Sequence, residues 1–324
     1  MLKVIGTGSY LPEKILTNYD LEKMVETSDE WITKRTGIKK RHIAANFEAT
    51  SDMAIKSAQK ALNMAGLSAK DIELLIVGTS TPDFQIPAVA PTIAHGLGCN
   101  NIPAFDLNSV CTSFAFSFFT AVSYLNSGFF KNCLVIGADT YSRILNWQDR
   151  TTCTLFGDGS GALILKRDLS AKGILSYNFK TDGSRAHLIK IPCIGSRNPV
   201  QKNNVKKEDI MFQMRGKDVY EFSIYEIPKL TSELIEMANL TASDVQWVVL
   251  HQANLRIINA VAKRLDLALD KFIITIDETG NTSSASIPIA LDTACREGKI
   301  KEYDKVLILG FGGGLSWGGL LFEW

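Results

Sequence analysis

A chain that repeats a pattern at a long interval is constrained before any single residue is interpreted, because two copies of one unit must bury their apolar faces in shared layers. Here ALNMAGLSAKDIELLIVGTS (61–80) resembles LIEMANLTASDVQWVVLHQA (234–253). Leu67 aligns with Leu240, Ala69 with Ala242 and Asp71 with Asp244, each 173 residues apart, as are Met64 and Met237. NCLVIGADT (132–140) aligns with KVLILGFGG (305–313) at the same offset, setting Gly137 on Gly310. Many α/β strands look alike, but a register shared by two separated blocks points to duplication.

Each half reads coarsely as strand, helix, strand, helix, strand. LLIVGT, CLVIGA, WVVLH and VLILG are near-continuous Val/Ile/Leu runs, which fits strands covered by helices on both faces. The architecture expected is layered α/β. Residues 168 to 215 carry much of the Gly, Asn, Lys and Pro and read as a connector with a surface excursion. The boundary is placed near 170, giving halves 1–170 and 171–324.

Composition excludes little but directs the search. With 46% hydrophobic residues, 21% charged residues and a formal net charge of +1, nothing global favours nucleic acid or an anionic membrane as partner. The opening MLKVIGTGSYLPEKILTN lacks a signal-peptide core. FAFSFFTAVSYL falls short of the roughly 20 apolar residues of a membrane helix. A soluble, cytoplasmic protein is expected. The six cysteines form no C-x-x-C pair and the four histidines no H-E-x-x-H, so neither a metal site nor a dithiol motif is expected.

FDLNSVCTSFAFSF (105–118) approaches Cys111 as a strand and leaves it as a helix. A thiol at a helix N-terminus is favoured as the thiolate, since unpaired N–H groups and the helix dipole attract negative charge. A lone cysteine is more often a buried structural one; partners elsewhere reverse those odds. His251 directly follows the WVVL strand, at the edge where α/β folds place function, and aligns with Gly78, so it is not a packing need of the repeat. Asn281 stands in the turn GNTSSASIPIAL, before the helix that mirrors the one after Cys111; on its own it is an ordinary Gly-Asn turn. Gly310, Gly312, Gly313 and Gly314 lead a strand back into a strand, so they make no phosphate loop but can aim backbone N–H groups at an oxyanion. GDGSGALIL (157–165) fails as a phosphate loop in the same way. Thiol, imidazole, amide and backbone donors together suit acyl transfer through a thioester. Papain-like proteases share the order Cys, His, Asn, but their C-G-S-C-W signature is missing.

At this point the sequence resembles the β-ketoacyl-acyl carrier protein synthase III family of the thiolase fold, over nearly its whole length. TSDEWITKRTGIKKRHIA (27–44), the Cys111 segment, FGDGSGA, HQANLRII, GNTSSASIPIAL and GFGGGLSWG follow the family's motifs in order. The resemblance implies two similar βαβαβαβ halves in a five-layered α-β-α-β-α body. It implies that Cys111 takes an acyl group from coenzyme A and that malonyl-acyl carrier protein, losing carbon dioxide, attacks the thioester, which initiates fatty acid synthesis. His251 and Asn281 would donate hydrogen bonds to the malonyl thioester oxygen, and the N–H groups of Cys111 and Gly313 would form the oxyanion hole. Trp31 would stack on the adenine of coenzyme A with Arg150 on its other side, Arg35 would meet the phosphates, and Ile86 would limit the acyl pocket of a partner subunit. Arg256, Lys263 and Arg264 would dock the acidic carrier protein. The enzyme implied is a homodimer without metal or redox cofactor, acyl-coenzyme A being a substrate.

Several positions depart from the pattern. Thr112 and Ser113 follow the cysteine where a small residue and glycine are usual, Thr279 replaces a common aromatic, and Glu221 follows Tyr220 where a basic residue often stands. These leave acyl length and carrier open. The alternative is a specialised-metabolism relative with another acyl donor or acceptor. A non-catalytic chain-length partner would lose the cysteine, elongating synthases would show two histidines, and thiolases a second cysteine in the terminal glycine segment, where this chain has none.

Overall fold

The Val, Ile and Leu runs form strands because both faces of each strand meet apolar helices. A computed structural model of the protein describes residues 2–99, 101–201 and 205–324. Its first sheet runs in the order β1 (Leu2–Tyr10), β5 (Gly159–Arg167), β4 (Asn132–Asp139), β2 (Leu74–Gly78) and β3 (Ala104–Leu107). β3 and β4 lie parallel to β2, whereas β5 is antiparallel to both β4 and β1. The second sheet repeats the plan as β7 (Trp247–Leu250), β8 (Lys305–Gly312), β9 (Ser316–Glu323) and β6 (Ile174–Thr181). A fifth strand is reduced there to one bridge, Val248 to Phe272.

Helices α4 (Ser113–Ser127) and α7 (Ser286–Arg296) fill the space between the sheets. Phe114, Phe118 and Leu125 of α4 and Ile287, Leu291 and Ala294 of α7 pack against Ile76, Val135 and Leu163 on one side and Val249, Ile308 and Phe322 on the other. Each such large side chain contributes about 1.5–3 kcal/mol by leaving water. The outer face of the first sheet takes α2 (Thr50–Ala65) and α3 (Val89–Leu97), and that of the second takes α5 (Gly216–Met237) and α6 (Leu255–Leu265). Along β4, Cys133 and Val135 face the central helices while Leu134 and Ile136 face the outer pair. The result is the five-layered α-β-α-β-α arrangement.

The offset of 173 survives in detail. The 3-10 turn Val110–Thr112 before α4 matches Ser283–Ala285 before α7, as Ala69–Asp71 matches Ala242–Asp244. Val110 (φ 51°) and Ser283 (φ 50°) are both left-handed. For a valine this costs about 1–3 kcal/mol, which the packed surroundings must supply. Gly137 and Gly310, also paired, leave room for the other half's turn. A Cβ on Gly137 would strike the Ser284 carbonyl, and one on Gly310 would lie 3.1 Å from Thr112 Cγ2.

One expectation is corrected. Residues 168 to 215 are not all connector, since Ile174–Thr181 is β6, bonded along β9. An edge strand with half its surface exposed carries polar residues, and Asn178 and Lys180 reach Glu233 of α5, so its composition resembles a loop. Farther on, Ile189–Lys190 and Gln213–Met214 form a small ribbon. Of the 195–210 stretch, residues 202–204 lie outside those described.

Candidate active site

Cys111 sits at the centre of the 3-10 turn between β3 and α4, held there by contacts from three directions. The Ser283 hydroxyl donates to its Sγ at 3.4 Å. Thr112 Oγ1 donates to the Ser316 carbonyl across the sheets. From the second sheet the end of β8 closes in, and a Cβ on Gly312 would come within 2.9 Å of both Cys111 N and Cys111 Cβ. Only glycine permits this approach, which sets the Gly312 backbone against the main chain and Cβ of Cys111.

The segment from Asn281 to Ser286 joins the candidate residues. Asn281 Oδ1 accepts from the Ser283 N–H at 2.9 Å, leaving the Nδ2 end of the amide to donate. Ser284 donates through both N–H (3.0 Å) and hydroxyl (2.6 Å) to Asp139 Oδ2 at the end of β4. Asp139 Oδ1 accepts in turn from Thr79, Ser80 and Thr81. Ser286 Oγ lies 2.7 Å from His251 Nδ1 and accepts the Gln252 N–H at 3.3 Å. The tautomer in which the Ser286 hydroxyl donates to Nδ1 carries the imidazole proton on Nε2, and it is the one that frees an N–H for a substrate oxygen. Phe311 meets the ring edge-on at 5.2 Å. The six-residue strip thus touches the sulfur through Ser283 and the imidazole through Ser286.

Burial governs the electrostatics. His251 is 2% exposed and its pKa is lowered to about 3, so the ring is neutral and donates as N–H. The expectation of a ready thiolate is corrected: Cys111 is 7% exposed and burial pushes its thiol up to about 12. Hydrogen bonds from Ser283 and Tyr141 pull the other way without overcoming the loss of water, and Asp139 adds to the rise. The helix begins only at Ser113, beyond the turn that holds the sulfur.

Trp31 lies on α1 (Asp29–Thr36), with the guanidinium carbons of Arg35 and Arg150 5.2 and 5.4 Å from its ring centre. Arg150 also donates to the Glu26 carbonyl, so a flat ligand between it and the indole would require this arginine to swing. Trp31, Lys34, Arg35 and Arg256 line a cavity of about 750 Å³. Arg256, at the start of α6, stacks on Tyr220 at 5.1 Å. Lys263 is exposed on the last turn of α6, and Arg264 donates to the Ile224 carbonyl of α5. Ile86 is 88% exposed beside the likewise exposed Phe84. Among the described residues, no group of three or more His, Cys, Asp or Glu could hold a metal, and no helix is long and apolar enough to cross a membrane.

Asp139, Ser80, Ser283, Ser284 and Ser286 were not picked out by sequence. A signal existed in TSSAS, a dense polar run at the start of a helix otherwise buried among apolar residues.

Comparison with known proteins identifies the family. Residues 105–183 match the family described as 3-oxoacyl-[acyl-carrier-protein] synthase III, and residues 235–324 match that family's C-terminal region. A beta-ketoacyl-[acyl-carrier-protein] synthase III of Neisseria meningitidis serogroup A is 46% identical over 323 residues, covering 99% of each chain. The crystal structure of 3-oxoacyl-[acyl-carrier-protein] synthase III from Aquifex aeolicus superposes with a TM-score of 0.93 at 40% identity, covering 100% of both chains. The priming beta-ketosynthase of the R1128 polyketide pathway superposes at 0.92 with 31% identity, over 99% of this chain and 96% of that one.

Proposed function

Because the chain belongs to the 3-oxoacyl-[acyl-carrier-protein] synthase III family, we propose that it starts fatty acid synthesis by a decarboxylative Claisen condensation in which Cys111, His251 and Asn281 act together. It is an acyltransferase-type condensing enzyme. Cys111 Sγ attacks the carbonyl of an acyl-coenzyme A; the new sulfur–carbon bond replaces the one to coenzyme A, and the thiol proton ends on the departing coenzyme A sulfur. The N–H groups of Cys111 and Gly313 stabilise the tetrahedral oxyanion. With the thiol held up to about 12, the thiolate is formed at the moment of transfer rather than stored.

Malonyl-acyl carrier protein then loses carbon dioxide, and the electrons of the broken carbon–carbon bond pass to an enolate. His251 Nε2–H and Asn281 Nδ2–H donate to its oxygen. Two neutral donors fixed in a dry site favour the charge that develops in the transition state, without a proton transfer. The enolate carbon attacks the acyl group on Cys111, the sulfur–carbon bond breaks to release 3-oxoacyl-acyl carrier protein, and the departing thiolate takes a proton from solvent to restore the thiol.

The observation that carries this reading is the Asn281–Ser286 strip, which bonds to Cys111 through Ser283 and to His251 through Ser286. Within the same proposal, residues 1–170 form the half with the nucleophile and 171–324 the half with its two donors. Trp31, Arg35 and Arg150 bind coenzyme A, Arg256, Lys263 and Arg264 face the carrier protein, and the exposed Ile86 enters a partner subunit of a homodimer. No cofactor is assigned, and a cytoplasmic site of action fits six free cysteines.

The test uses radioactive acyl-coenzyme A. Cys111→Ala abolishes covalent labelling, whereas Asn281→Ala keeps it and slows carbon dioxide release from malonyl-acyl carrier protein. Full labelling of the first variant, or normal release by the second, contradicts the assignment.

A further inference from the structure

Ser283 is fully buried, and its hydroxyl donates to Cys111 Sγ at 3.4 Å from the other repeat of the chain. Its backbone is used on both sides: the N–H donates to Asn281 Oδ1 at 2.9 Å, and the carbonyl accepts the Ser286 N–H. The turn that carries it is anchored one residue later, where Ser284 donates to Asp139 through both N–H and hydroxyl. None of these bonds involves the Ser283 hydroxyl, so the strip keeps its shape and its attachment without it. The duplication makes the same point. Val110 occupies the matching place 173 residues earlier, with φ 51° against 50° for Ser283, and its turn closes with no hydroxyl at that position.

What the hydroxyl touches is the atom that reacts. A thiol sulfur is a weak acceptor, whereas a thiolate is charged, and hydrogen bonds to a charged group are roughly twice as strong as neutral ones. The bond therefore tightens as charge forms on sulfur and slackens once that sulfur carries an acyl group. Such differential binding lowers a barrier, where equal binding of all states would not. Burial creates the need for it. Cys111 is 7% exposed, and loss of hydration pushes its thiol up to about 12, a rise that the Ser283 bond opposes.

We propose that Ser283 is a catalytic residue whose hydroxyl donates to the Cys111 sulfur, stabilising the thiolate as it attacks the acyl donor and again as it leaves the condensation product. The proposal rests on Cys111 being the acylated nucleophile. The serine proton stays on its oxygen throughout; the sulfur–carbon bond forms and breaks as described above, and no further reactant is required. Ser283 and Ser286 thereby serve different half-reactions, the first at the sulfur and the second through the imidazole that faces the enolate.

The experiment removes the hydroxyl from the full-length protein in two ways. Ser283→Ala deletes only the oxygen, whereas Ser283→Gly also suits the left-handed backbone, so a folding defect in the first leaves the second to decide. Three rates are compared with wild type: alkylation of Cys111 by iodoacetamide, acylation by acetyl-coenzyme A, and single-turnover carbon dioxide release from malonyl-acyl carrier protein by pre-acylated enzyme. Losing the donor shrinks the thiolate population, while the more basic thiolate that remains reacts faster; together these slow alkylation and acylation about 3- to 10-fold at each pH from about 6 to 10. Carbon dioxide release holds within a few-fold, because the backbone N–H of residue 283 still orients Asn281. Unchanged alkylation in a folded variant, or carbon dioxide release that falls as far as acylation, overturns the assignment. Wild type that is alkylated at Cys111 yet forms no adduct with acetyl-, butyryl- or octanoyl-coenzyme A refutes the acyl-transfer reading instead and removes the assignment with it.

Discussion

Ser286→Ala offers a direct test of how the imidazole is prepared. The hydroxyl lies 2.7 Å from His251 Nδ1 and accepts the Gln252 N–H at 3.3 Å, all in a buried setting. Removing it leaves a ring nitrogen and a backbone donor in a dry site, at a cost of about 1–3 kcal/mol each if no water enters. Much of that cost is common to all states of the enzyme and appears as lowered thermal stability. The part that bears on the enolate is the loosened Nε2–H. Deleting an oxyanion donor outright costs about 10²–10³ in rate. Misdirecting one should cost less, about 10- to 100-fold. The assay is carbon dioxide release from labelled malonyl-acyl carrier protein by pre-acylated enzyme, set against the rate of acylation of Cys111. Decarboxylation should fall while acylation holds within a few-fold. Equal losses in both half-reactions, or none in decarboxylation, refute the argument that Ser286 acts through His251.

Acid should destabilise the fold through the same histidine. The unfolded chain binds its proton below about 6.5 whereas the folded imidazole stays neutral down to about 3, so stability is lost as pH falls through that window. At pH 5 this amounts to about 2 kcal/mol, and His251→Gln should lose correspondingly less between pH 7 and 5; parallel losses would count against a buried neutral ring. Alkylation of Cys111 by iodoacetamide should quicken nearly tenfold per pH unit from pH 6 to 10, because the thiol is pushed up to about 12; a plateau near neutrality would show a thiolate instead. Gly312→Ala, whose methyl would fall within 2.9 Å of Cys111 N, should slow acylation about 100-fold with the fold retained, and normal labelling would disprove the close approach. Trp31→Ala should raise KM for acyl-coenzyme A about tenfold with little change in kcat, as expected for a residue that binds but does not react; an unchanged KM would remove it from the site.

The layered fold was readable, and Cys111, His251 and Asn281 could be singled out as candidates, because such features leave periodic or positional marks. The offset of 173 was visible in leucines and glycines and reappears in strands, turns and left-handed residues. β6 was not readable, because an exposed edge strand and a polar loop draw on the same residues. Neither was Ser283, one hydroxyl of a polar turn until it is placed beside a sulfur 172 positions earlier in the chain.

Sequence by itself determined the duplication, the buried strands and the residue types able to do acyl chemistry, since all of these are properties of local pattern and spacing. Only the tertiary structure decided the protonation states. Whether a thiol ionises or an imidazole stays neutral depends on how much water and which donors surround it, and those come from both halves at once. Ser283 reaching Cys111, Ser286 fixing His251 and Gly312 admitting the second sheet to the nucleophile are contacts between residues far apart in the chain. They exist because two repeated units share one middle layer of helices.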